Sequence, residues 1–252
     1  MMNKKPTVAI ISLTACNGCL MEIINLGQLL KGVVDRLQIT EFPLVRSGKS
    51  PTKFDIAFVE GSVVTKENLK TLEQLRKQSK FLIAIGACAC IGGIPEIKNY
   101  RDREKLIKQI YKSTKNIENP LIKPLKKYVK IDLEIPGCPP NKKEIAKIIA
   151  SLLVGKIPCI PQRPVCYECQ IREYNCLLQE GLPCLGSITL GGCQAVCLKS
   201  GEICSACRGF LSKPAAKNLI KIFKKQGLSD QDLNNLLEKF GVRDEFEKIL
   251  KS

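Results

Sequence analysis

Short, almost wholly apolar runs alternate along this chain with longer stretches whose apolar residues recur at helical spacing. Thr7 to Leu13 (TVAIISL), Gln38 to Val45, Asp55 to Glu60 (DIAFVE), Phe81 to Ile85 (FLIAI) and Tyr128 to Ile135 read as strands. Thr7 to Leu13, apolar at both parities and rich in β-branched residues, suits a parallel strand buried on both faces, and Gln38 to Val45 is a weaker strand. Between them the spacing predicts helices from Leu20 to Lys31, Lys66 to Ser79, Arg103 to Ser113 and Asn141 to Leu153. In the first helix Ile23, Ile24, Leu26, Leu29 and Leu30 supply the apolar positions. The alternation predicts an α/β fold: a doubly wound parallel sheet in the flavodoxin-like order 2-1-3-4-5.

The pattern changes at Lys156. Three prolines in KIPCIPQRP mark residues 156–164 as a linker. The chain then divides into an α/β domain, residues 1–155, and a cysteine-rich domain with a helical tail, residues 156–252. In the tail a basic helix is expected from Ala215 to Lys225. A second is expected after Ser229-Asp230-Gln231-Asp232, which resembles a capping box, with Leu233, Leu236, Leu237 and Phe240 as its apolar stripe.

Eight cysteines fall between Cys166 and Cys207, in two groups of four. The first is C-x2-C-x6-C-x7-C (Cys166, Cys169, Cys176, Cys184). The second is C-x3-C-x6-C-x2-C (Cys193, Cys197, Cys204, Cys207). Four thiolates hold one zinc ion or one iron–sulfur cluster, and this segment by itself leaves both open, with disulfides as a third reading. Little between these cysteines builds an ordinary core, so the segment is expected to fold around its metals. A further four obey sheet geometry. Cys16 and Cys19 follow the first strand, Cys88 the fourth and Cys138 the fifth. Ligand crevices in such sheets lie beyond the carboxyl ends of the strands, so three loops should bring these four thiols to one spot.

Composition narrows the chemistry. The chain has no histidine among 252 residues, which excludes a Ser-His-Asp triad, an H-E-x-x-H site and imidazole ligation. The phosphate fingerprints G-x-G-x-x-G and G-x-x-x-x-G-K-[ST] are missing too. Hydrophobic residues make up 44%, enough for a core without disulfide staples. The apolar start is too short for a signal h-region, and no stretch reaches the length of a membrane span. A cytoplasmic protein is expected, in which clustered cysteines bind metal. The net charge of +16 raises nucleic acid as a partner. Its lysines are spread along helices and aromatics are 5%, so stacking platforms are scarce and no nucleic-acid partner is expected. A solvated surface, or a docking face for acidic partners, fits better.

The ordered motifs resemble those of the small, electron-transfer subunit of [NiFe] hydrogenases, over about residues 7 to 210. The carriers are Cys16-Asn17-Gly18-Cys19 with Glu22 behind, Glu60-Gly61-Ser62, GACACIGG at 86–93, PGCPP at 136–140, and the run ending Cys204-Ser205-Ala206-Cys207-Arg208-Gly209. Within that family the chain is most similar to the cytosolic group, especially the sulfhydrogenase delta type. The complex I relative has adjacent cysteines in the first motif and no C-terminal cluster domain, unlike this chain.

The resemblance implies three [4Fe-4S] clusters: proximal on Cys16, Cys19, Cys88 and Cys138, medial on Cys193, Cys197, Cys204 and Cys207, distal on Cys166, Cys169, Cys176 and Cys184. Cys166 fills a position where many periplasmic relatives have histidine, and those relatives carry a twin-arginine leader that is not seen here. It further implies a large subunit with the Ni–Fe site, and a diaphorase-type or iron–sulfur electron-transfer partner. The same relay in an F420- or heterodisulfide-linked complex is the nearest alternative. A zinc-binding interaction module is the alternative of another class. Cys90 and Cys159 are left over, since the G-x-C-A loop match selects Cys88, and Glu22 is either a proton carrier or an acid suited to a helix's first turn.

Overall fold

The alternating strands assemble as the pattern demands. The computed structural model describes residues 5–27, 32, 35–42 and 53–251. Five parallel strands, β1 (Thr7–Ser12), β2 (Gln38–Glu41), β3 (Phe54–Glu60), β4 (Ser79–Ile85) and β5 (Leu133–Ile135), lie in the order β2-β1-β3-β4-β5. Ile10, Phe58, Ile83 and Leu133 stand in one register row, and every second residue shares their face. That face packs on α1 (Gly18–Ile24) and α5 (Lys142–Leu153) through Leu20, Ile23, Ile145, Ile148 and Ile149. The opposite parity, Ala9, Ile11, Ala57, Val59, Leu82 and Ala84, packs on Leu72 and Leu75 of α2 (Lys66–Gln78). Each fully buried aliphatic side chain contributes about 1.5–3 kcal/mol, so both layers are held by burial.

Caps set the helix starts. Thr65 and Asn68 form a reciprocal capping box on α2, and the Asn141 side chain accepts from the Lys143 and Glu144 N–H groups of α5. Some expected boundaries move. β5 has three residues, where eight were expected, because the Asp132 carboxylate takes the Leu82 N–H and the Arg76 guanidinium and so occupies the ladder just upstream. Helix α4 (Arg103–Ile110) stops before Ser113 and carries no buried side chain to extend it. The expected positions Leu29, Leu30 and Lys31 of the first helix, and residues 43–45 of the second strand, lie outside the described residues. A short helix, α3 (Ala87–Ile91), and a 3-10 turn, Ile94–Tyr100, form in the glycine-rich stretch after β4.

Residues 155–164 form no regular element. The cysteine run contains two short helices, α6 (Val165–Gln170) and α7 (Val196–Lys199), and is otherwise irregular. Its core corrects the expectation that little could be built there. Leu185, Ile188 and Phe210 are buried against Leu219, Phe223, Leu237 and Phe246 of α8 (Ala216–Lys225), α9 (Asp230–Glu238) and α10 (Arg243–Lys251). The tail helices supply the apolar partners that the run lacks. Ser229 caps α9 as its sequence indicates. The third tail helix, α10, was not expected.

One acid is buried at the seam between the 3-10 turn and the tail. Glu96, 8% exposed, lies against Gly92 and Gly241, and its Oε2 has no hydrogen-bond partner among the described residues. Burial, and next the charge of Asp244, push its carboxyl up to about 8. Because the folded value lies above 4.5, Glu96 supports the fold below pH 4.5 and that support is lost as pH rises towards 8. Glu96→Gln is therefore expected to match the wild type near pH 4 and to exceed its stability by a few kcal/mol near pH 9. Denaturant midpoints across pH test this, and parallel curves would sink it.

Candidate functional site

Register decides where the first four thiols meet. Ser12, Glu60, Ile85 and Ile135 form one row at the carboxyl edge of the sheet. Cys16 and Cys19 follow the first strand, Cys88 the fourth and Cys138 the fifth. Backbone bonds tie the loops together: Gly86 and Ala87 N–H donate to the Ile135 and Gly137 carbonyls at 2.8 Å, and Thr14 pairs with Ser62. Three of these thiols respond to their neighbours. Burial, then the charges of Cys138 and Cys16, push Cys88 up to about 11. Burial, and next Glu60, hold Cys19 far above the ordinary thiol range, with smaller pushes from Cys88 and Cys138. Burial and Cys16 raise Cys138.

Glu60 is the residue that sequence reasoning left without a role. It is buried, accepts from the Ser12 hydroxyl at 3.1 Å and bonds the Cys19 thiol. Burial raises its carboxyl, against the Ser12, Cys19 and Leu20 bonds that lower it. A carboxylate closing an otherwise apolar strand (DIAFVE) was the available signal. Cys90 lies apart from the quartet, buried in the core beneath the sheet with its thiol on the Ala84 carbonyl at 3.5 Å. Cys159 is exposed in the proline segment.

Gly86 is required by space. Its φ is +89°, and a Cβ there would lie 2.3 Å from the Cys19 Sγ. Gly86→Ala is expected to displace that thiol and to cost about 1–3 kcal/mol in backbone strain. Urea unfolding together with iron content of the variant tests it; a variant with wild-type values in both would refute it.

The other eight thiols form two more groups. All of Cys166, Cys169, Cys176 and Cys184 line one cavity of ≈ 400 Å³. Burial, then Cys184, Cys176 and Cys169, push Cys166 up to about 11. All of Cys193, Cys197, Cys204 and Cys207 line another of ≈ 680 Å³, together with Cys138 and Glu22. Burial holds Cys204 far above the ordinary range and pushes Cys207 up to about 12, with Cys193, Cys197 and Cys138 adding to the latter.

These contacts also order the quartets in space. The Cys138 N–H points at the Cys207 thiol, and the Cys204 N–H lies 3.4 Å from the Cys184 Sγ. The last quartet in the chain therefore sits between the other two. Among the described residues, five non-glycine residues have positive φ, namely Asn17, Glu173, Gln194, Ala195 and Ala206. Every one lies between two cysteines of a quartet, in backbone that costs energy to hold.

Arg208 locks the quartets to the sheet. Its side chain is fully buried, with the guanidinium on both Glu144 oxygens at 2.8 Å and on the carbonyls of Pro136, Leu190 and Gly191. No sequence signal beyond its place after Cys207 marks it.

The donor set is uniformly soft thiolate. Among the described residues no three candidate ligands converge as a single metal ion needs. Four such thiolates suit an iron–sulfur cluster or a zinc ion.

The family model described as NADH ubiquinone oxidoreductase, 20 Kd subunit, matches residues 16–152, which carry Cys16, Cys19, Cys88 and Cys138. Over 92% of the chain and 98% of the relative, the sequence is 34% identical to sulfhydrogenase 2 subunit delta of Pyrococcus furiosus. The chain belongs to the [NiFe] hydrogenase small-subunit family.

A second relative of this small subunit comes from the F420-non-reducing hydrogenase vhu of Methanocaldococcus jannaschii, one of whose chains is 32% identical over 94% of this chain and 95% of its own length. A solved NAD+-reducing [NiFe]-hydrogenase in the H2-reduced state aligns with TM-score 0.57 and 29% identity, over 63% of this chain and 96% of the matched chain. The protein is thus the electron-transfer, iron–sulfur subunit of an oxidoreductase complex that includes a large subunit. No described helix is long and apolar enough to cross a membrane.

Proposed function

We propose that this small subunit relays electrons between the Ni–Fe site of its large subunit and a diaphorase-type partner in the cytoplasm, through three [4Fe-4S] clusters. Cys16, Cys19, Cys88 and Cys138 would hold the proximal cluster, Cys193, Cys197, Cys204 and Cys207 the medial one, and Cys166, Cys169, Cys176 and Cys184 the distal one. Such a cluster supplies one-electron redox chemistry at a potential set by its ligands, hydrogen bonds and burial.

The observation that carries this reading is the spatial order, with the second C-terminal quartet touching both of the others. The rest of the chain's contribution is positioning. The sheet edge fixes the first quartet, Arg208 fixes the second to it, and N–H groups of Ile94, Ala195, Ala206 and Cys138 point at Cys88, Cys193, Cys204 and Cys207. Donors of that kind tune a thiolate's basicity and the bound group's potential. Loading must deprotonate the raised thiols, so it should release protons. The likeness to an NAD+-reducing hydrogenase supports a diaphorase-type partner, and fourteen free thiols suit a reducing compartment.

Iron, acid-labile sulfide and zinc counts on anaerobically purified protein test the proposal. About twelve iron and twelve sulfide per chain are expected. About eight would remove one quartet from the assignment, and zinc in place of iron would overturn it.

A further inference from the structure

A cleft of ≈ 580 Å³ opens beside the outer quartet, between α5, residues 156–164 and α6. Four cations stand on its walls: Lys143, Lys147, Arg163 and Arg172. Among the described residues none of them makes an ion pair with a carboxylate. Both carboxylates of the cleft are turned to other tasks. Glu144 holds Arg208, and Glu168 accepts from the Gly192 N–H at 2.7 Å and faces the Cys193 thiol. The unspent charge is therefore positive.

Apolar surface lies among these cations. Tyr167 is 42% exposed with the Arg163 guanidinium 4.8 Å over its ring, and Ile171 is 60% exposed. Val154 and Ile157, where α5 meets the proline segment, are also exposed. Exposed aromatic and aliphatic groups ringed by arginine and lysine have the composition of a protein docking site. Position adds meaning: Tyr167 lies between Cys166 and Cys169 on α6, so whatever covers it sits over the outer quartet.

We infer that this cleft docks the partner that takes the electrons, and that this partner meets it with the face of an acidic redox protein, carboxylates set around an apolar side chain. The inference rests on the electron-transfer reading above. Oxidation of one H2 at the large subunit yields two protons and two electrons. These leave singly, each reducing one docked one-electron acceptor. Nucleic acid fits less well, because it needs several stacking faces and Tyr167 is, among the described residues, the one aromatic residue on the cleft's lining.

The test uses the complex of large and small subunits freed of the diaphorase-type partner, so that the cleft is open, with an oxidised plant-type [2Fe–2S] ferredoxin as the acidic probe and methyl viologen as an acceptor that needs no docking. With H2 as donor, Lys143→Glu/Lys147→Glu is expected to slow ferredoxin reduction roughly tenfold at low salt and to flatten its salt dependence, at an unchanged viologen rate. Tyr167→Ala is expected to slow ferredoxin reduction while keeping the salt slope. Unchanged ferredoxin rates in both variants overturn the inference. So does binding of a single-stranded oligonucleotide that the charge variant abolishes while ferredoxin reduction stays as in the wild type. A wild-type complex that holds no iron and reduces no viologen would instead remove the electron-transfer reading, which separates the two failures.

Discussion

Replacing Arg208 with Met is expected to destabilise the subunit by about 3–5 kcal/mol, the cost of breaking a buried ion pair from one side. Methionine keeps much of the stem's volume but donates nothing. It would strand the Glu144 carboxylate and the carbonyls of Pro136, Leu190 and Gly191 in a place that water does not reach freely. Burial already raises the Glu144 carboxyl, with Arg208 countering it, so loss of the guanidinium should raise it further. Adding Glu144→Gln should recover part of the loss and no more, since the three carbonyls stay unpaired. Denaturant midpoints for both single variants and the double close the cycle. A single-variant change below about 1 kcal/mol, the worth of an exposed pair, would remove Arg208 as the clasp.

Cys138→Ala should cut electron exit while sparing the chemistry of the partner subunit. Cys138 belongs to the quartet at the sheet edge and also lines the cavity of the middle quartet. Outer-shell changes at metal sites cost 10–100-fold, so loss of the proposed ligand at this junction is expected to slow H2-driven viologen reduction by about 100-fold or more. Isotope exchange between H2 and water protons needs no electrons to leave, and should persist in the same complex. Iron should fall by about four atoms per chain. Viologen turnover at the wild-type rate would remove Cys138 from the path, whereas loss of exchange as well would mean that the variant has damaged assembly.

Much of this was legible in the residues, for identifiable reasons. TVAIIS, FDIAFVE and FLIAI are apolar at both parities, which only a sheet covered on both faces satisfies, so strand order and class could be read. Loops at the carboxyl ends of such strands converge, so the placing of Cys16, Cys19, Cys88 and Cys138 could be read too. Boundaries set by single side chains could not: Asp132 shortens β5 by a bond that no periodicity encodes. Helix α10 was missed because most of RDEFEKILK is charged, and Phe246 is the one side chain there that is deeply buried. The tail's role as core for the cysteine run depends on tertiary contacts of Phe210, Phe223 and Phe246. Cysteine spacing separates two quartets between 166 and 207 but says nothing of which lies in the middle. That order came from family resemblance at the sequence level, and in the structure it appears in the contacts of Cys184, Cys204, Cys207 and Cys138.

The doubling back of the chain sets a timetable for synthesis. A ribosome delivers the sheet and its four thiols first, then Cys166 to Cys184, and only afterwards Cys193 to Cys207. The two outer thiol quartets thus leave the exit tunnel before the one that lies between them. Arg208 follows directly, so closure of the middle and its fastening to α5 come within a few residues of each other. A nascent chain halted before Cys193 would hold two separate terminal quartets with nothing between them.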